Sequence, residues 1–115
     1  MDHSFKEFVL DQLRGLSGLR VRAMFGGHGL YQDGTFFGIL FEGRLYFKTD
    51  SRSRRDYIAL GMEPFRYEQR GRRMTMQYHE VPARVLESPH ELVAWAMRAV
   101  QAAGARPPRA SRKRR

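Results

Sequence analysis

Two acidic–glycine pairs, Asp33-Gly34 and Glu42-Gly43, each sit between short apolar runs in "LYQDGTFFGILFEGRLYFK". A dipeptide ending in glycine readily takes the positive φ values of a two-residue hairpin turn, so consecutive pairs tie three short strands into an antiparallel meander. Upstream, "LRVRAMF" alternates Leu19, Val21 and Ala23 against Arg20 and Arg22, which adds a first strand. Gly26, Gly27 and Gly29 then bound a turn or bulge before the second strand, because backbone without Cβ bends sharply.

Helical signals flank this meander. Ser4 and Glu7 have capping-box spacing, and Phe5, Phe8, Val9, Leu13 and Leu16 recur at helical intervals, which predicts a helix over residues 5–16 stopped by Gly15 and Gly18. After the meander, Asp50, Ser51 or Ser53 caps a short helix ending at Gly61, and a third hairpin turns near Gly71, with Phe65 and Tyr67 answered by Met74, Met76 and Tyr78. Ser88-Pro89-His90-Glu91 starts a last helix whose buried face is predicted to be Leu92, Val93, Trp95, Ala96, Met97 and Val100. The order is helix, four strands, helix, two strands, helix. Strands clustered between helices predict an α+β fold, an antiparallel sheet flanked by helices.

A chain of 115 residues supports one core, assigned here to residues 1–104. Without cysteine, disulfide frameworks and thiolate metal sites are excluded, and with neither a secretory pattern nor a long apolar run the expected location is the cytoplasm, off the membrane. The net charge of +9 is concentrated at one end: residues 105–115, "ARPPRASRKRR", hold Arg106, Arg109, Arg112, Lys113, Arg114 and Arg115. Removing that tail leaves 15 basic against 12 acidic groups, or +3. Two prolines and this charge density predict a tail disordered without a partner, giving non-specific attraction to DNA or RNA.

Catalytic constellations are not visible. His3, His28, His79 and His90 are dispersed without metal-ligand spacing, the hydroxyls have no nucleophile context, and neither metal nor cofactor is expected. Glu63, Glu68 and Glu80, close in sequence to Arg66, Arg70, Arg72 and Arg73, read as solvent-facing charges of a hairpin. "GGHG" lacks the strand-to-helix setting of a phosphate loop, yet Gly26, Gly27, His28, Gly29 and Tyr31 form a candidate ligand turn, with Tyr46 and Lys48 as further lining of a small-molecule or enzyme-like pocket. Phe36, Phe37, Phe41, Tyr46 and Phe47 do not spell an RNA-binding sheet motif and read as core; Arg20, Arg22, Arg44 and Lys48 form a modest basic face for nucleic acid.

The ordered set "RAMFGGHGLY", "GILF", "LYFK" and "GMEPFRY", followed by "MTMQYHEVP", closely resembles the N-terminal domain of the TfoX/Sxy family over about Phe5 to Ala103. The resemblance implies an α+β domain of the TfoX-N type. It also implies a regulatory role, since longer members carrying a second, C-terminal domain regulate natural competence with the cyclic-AMP receptor protein at promoters. A stand-alone domain of this kind is expected to be a non-enzymatic regulator or adaptor with a protein partner, such as transcription machinery, or a homo-oligomer; the alternative is the pocket reading above.

Overall fold

Three residue–glycine pairs turn three hairpins. Asp33 and Gly34 have φ of 50° and 87°, Glu42 and Gly43 of 50° and 73°, and Arg70 and Gly71 of 55° and 76°. Two consecutive positive values twist the chain in the sense that suits the right-handed twist of the flanking strands. The computed structural model describes residues 3–24 and 26–104, the side chains of His3, Gln69, Arg73 and Met74 excepted. The expected basic tail and Phe25 lie outside the described residues.

The elements in chain order are α1 (His3–Gln12), β1 (Leu19–Met24), β2 (Gly27–Gln32), β3 (Thr35–Phe41), β4 (Arg44–Lys48), α2 (Ser53–Ala59), β5 (Pro64–Gln69), β6 (Arg72–Glu80), α3 (Ala83–Leu86) and α4 (Pro89–Gly104). Six strands form one antiparallel sheet in the order β1-β2-β3-β4-β6-β5. The chain meanders through β4, crosses by α2 to the far edge as β5, and returns as β6 against β4. This is the α+β architecture expected from the sequence, with the short α3 as an addition.

Caps explain where the helices begin. The Asp50 carboxylate accepts the backbone N–H of Arg52 and Ser53 at 3.0 and 2.8 Å, while Ser53 Oγ accepts the N–H of Asp50 at 3.1 Å. Those bonds hold the Asp50 carboxyl below its ordinary range, the Ser53 N–H contributing most. Ser88 Oγ likewise accepts the N–H of Glu91 at the start of α4. The first helix differs from expectation: it begins at His3, so Ser4 lies within its first turn, and it stops at Gln12. Leu13 and Leu16 are still buried, carried by turns, whereas Phe8 is 41% exposed.

The main core lies between the sheet and the helices. Val9 and Leu13, Tyr57, Val85, and Leu92, Ala96 and Ala99 meet Leu30, Phe37, Leu40, Leu45, Phe47 and Val81. The buried stripe of α4 is Leu92, Ala96, Ala99 and Ala102, and small alanines let this helix lie close across β3 and β4. Of the other expected members, Val93, Trp95 and Val100 are partly buried against the same core, Trp95 edge-on to Tyr57 at 4.9 Å, and Met97 is displaced, at 40% exposure.

Candidate functional site on the helix-free sheet face

A second cluster, Ile39, Phe65 and Tyr78 with Phe36, Phe41, Tyr46, Tyr67 and Met76, is built from strand residues alone. It occupies the sheet face that the helices do not cover. A bulge in β3 makes this possible. Leu30 pairs with Gly38 but Tyr31 with Phe36, so Phe37 is an extra residue in the ladder. The insertion shifts the alternation: Phe37 and Leu40 face the helices, while Phe36, Ile39 and Phe41 face away. The expectation that the strand aromatics are core therefore holds for Phe37 and Phe47 and fails for Phe36, Phe41 and Tyr46, which are half-buried on the other side.

Among the described residues, the rings on this face touch in two groups. In one, Phe36 lies 5.1 Å from Tyr31 and 5.6 Å from Tyr78 between ring centroids. In the other, Phe65 sits at the centre, edge-on to Phe41 at 5.5 Å and to Tyr46 at 4.9 Å, with Tyr67 stacked at 6.4 Å. Burial pushes the Tyr78 hydroxyl up to about 12, reinforced by nearby Tyr31. Tyr46 is raised by burial and then by the Glu80 charge.

All four residues of the expected basic face belong to this side. Arg22 pairs with Gly29 across β1 and β2 and lies over the Tyr31 ring at 5.8 Å; Arg20, two residues earlier and paired with Tyr31, shares its face. Lys48 pairs with Tyr78 and lies over that ring at 5.4 Å. Arg44 is engaged by Glu80, which accepts from it at 3.1 and 3.3 Å. Among the described residues, Arg20, Arg22 and Lys48 have no carboxylate within salt-bridge distance. The structure thus joins basic residues and aromatics, which sequence reasoning treated as separate sets.

The glycine turn is arranged differently from the expectation. Only Gly26, at φ 82°, remains in the turn, and Gly27 and Gly29 are members of β2. A Cβ on Gly27 would collide with the carbonyl oxygen of Leu40, and one on Gly29 would come within 2.7 Å of Met24 Sδ and 3.0 Å of the Phe36 ring. Backbone and side chains of the sheet therefore fill the space these glycines leave. His28 alternates with them and does not share their face. Tyr46 and Lys48 stand on β4, with β3 between them and the turn. Clefts occur elsewhere: one of about 650 Å³ lies between α1 and α4, beside Gln12 and His90, and one of about 300 Å³ beside Asp50 and Arg98.

Among the described residues, no group of three or more His, Asp or Glu side chains is placed to hold a metal ion. Glu63 and Glu80 form separate ion pairs, with Arg66 at 3.2 Å and Arg44 at 3.1 Å. One buried polar cluster went unread in the sequence: His79 Nδ1 lies 3.2 Å from Thr49 Oγ1, and its ring packs 5.7 Å from Tyr57.

The sheet, its bulge and all but the last residue of α4 fall within a segment that matches one known family. The model of the TfoX N-terminal domain covers residues 11–103. The chain belongs to the TfoX N-terminal domain family. In this TfoX-N domain the matched segment starts inside α1, after the fully buried Val9. No curated protein matches the chain significantly. Among the described residues, no helix of the TfoX-N domain is long and apolar enough to cross a membrane.

Proposed function

We propose that this TfoX-N domain is a non-enzymatic regulatory or adaptor module of the cytoplasm that acts by macromolecular contact, in the manner of TfoX/Sxy regulators of competence and transcription. A protein partner is held through apolar residues that the helices leave outside the core, Ile58 at 59% and Leu60 at 43% exposure near the end of α2. Nucleic acid is attracted without sequence preference by the basic tail from Arg106 to Arg115, aided by Arg20, Arg22 and Lys48.

One observation carries this reading: among the described residues, the sheet buries one face under helices and carries none on the other, which is lined with rings and with Arg20, Arg22 and Lys48 outside any ion pair. A strand-built surface that joins half-buried rings to cations suits contact with another macromolecule.

Affinity purification of the full chain and of a form ending at Gly104, each with and without nuclease, tests the reading. A specific protein partner retained by both forms after nuclease is expected, together with nucleic acid that falls sharply in the shorter form. Loss of every protein partner on nuclease treatment would contradict the adaptor role.

A further inference from the structure

Five side chains on the helix-free face form a continuous row. Arg22 lies over Tyr31, Tyr31 touches Phe36, Phe36 touches Tyr78, and Lys48, on the strand between Phe36 and Tyr78, lies over Tyr78, so each outer ring of the three carries a cation. Tyr31 and Phe36 are half-buried, anchored in the sheet with part of each ring accessible, while Tyr78 is buried beneath Lys48 and fixes the row.

We infer that this row binds a single strand of DNA, with bases stacking on Tyr31 and Phe36 and phosphates meeting Arg22 and Lys48. The inference deepens the nucleic-acid part of the proposed function and rests on it. Rings and cations on one surface answer the two features a single strand offers together, unpaired base planes and a charged backbone. A duplex stacks its bases inward and offers such a surface only phosphates. A second copy of this chain fits less well, because facing rows would set Arg20, Arg22 and Lys48 against their own counterparts, and Glu80 is already engaged by Arg44. Two ring platforms suffice for two or three bases, as on other sheet surfaces that bind single strands.

The test is fluorescence anisotropy of the full chain with a labelled 15-nucleotide oligothymidylate and a duplex of equal length, at several salt concentrations. Tyr31→Leu and Phe36→Leu keep apolar bulk and remove the stacking plane. Each is expected to weaken single-strand binding by about 5- to 150-fold while leaving duplex binding unchanged. Arg22→Gln and Lys48→Gln should each take about 0.7 from the log–log salt slope. Ultraviolet cross-linking of the unmodified chain to the oligothymidylate should mark the peptides holding Tyr31 and Phe36, which keeps the test decisive if a ring variant fails to fold.

Oligothymidylate binding unchanged in the ring and cation variants, cross-links confined to residues 105–115, or a parent chain that prefers the duplex overturns the inference. A dimer dispersed by Phe36→Leu assigns the face to a second copy and overturns it as well. Failure of the tail to attract duplex, with ring-sensitive oligothymidylate binding intact, contradicts the tail reading alone.

Discussion

Single residues in this domain are constrained in two distinct ways, and glycine separates them. At Gly34 φ is 87° and an added Cβ would meet nothing within 4 Å, so the only cost is backbone conformation. Gly34→Ala is expected to lose about 1–2 kcal/mol. At Gly27 the obstacle is the Leu40 carbonyl, which belongs to the paired ladder and cannot turn aside. Gly27→Ala should therefore cost at least as much, about 1–3 kcal/mol; chemical denaturation of both variants checks the pair. His79 gives a pH-dependent counterpart. Burial, then the charge of Arg54, lowers its pKa below the ordinary 6.5, with Glu63 opposing. As pH falls from 7.5, the unfolded chain takes up this proton first, so stability drops below about 6.5 until the folded histidine also titrates. Thermal melts from pH 7.5 to 5 should show a falling Tm, and His79→Gln should flatten that fall.

At the scale of elements, the rim position of Trp95 corrects the simplest reading of α4. Its ring packs edge-on to Tyr57 at 4.9 Å and lies beneath Arg98 at 5.8 Å, linking α4 to α2. Trp95→Ala is expected to cost about 1–3 kcal/mol, short of the roughly 3–5 kcal/mol of a fully buried ring. A loss above that range in a urea titration would mean that α2 detaches with it. The exposed Arg98–Asp56 pair at 2.7 Å adds little, since such ion pairs are screened by water.

Three hairpin turns and the cap of α4 were the legible elements, while the expected cap at Ser4 was not. Asp33-Gly34, Glu42-Gly43, Gly71 and Ser88 act locally, and each operates where its residue type predicts. The β3 bulge was not legible, because "TFFGILF" permits either phase of alternation until β2 fixes the pairing at Leu30 and Tyr31. The candidate surface was accordingly half-legible. Strand alternation made Arg20 with Arg22, and Arg44 with Lys48, readable as polar-side pairs expected on adjacent strands, but β2 and β3 separate the two pairs, and the rings between them required the bulge and the strand order to be known.

At the scale of the whole molecule, every helix contributes to one core and a strand-only cluster backs the opposite face. This division leaves α2 and its exposed Ile58 on one side of the sheet and the cationic aromatic row on the other, so a protein and a nucleic acid need not compete for one surface. Residues 1–104 carry only +3, and the net charge of +9 is reached through the tail; long-range attraction and local placement are thus separate tasks in the proposed function. Amide chemical-shift mapping of the full chain during titration with a 15-nucleotide oligothymidylate tests most directly whether the helix-free face is the working surface. Shifts are expected at Arg22, Tyr31, Phe36, Lys48 and Tyr78, with α1 and α4 unmoved. Shifts confined to the helices, or to residues 105–115 alone, would contradict it.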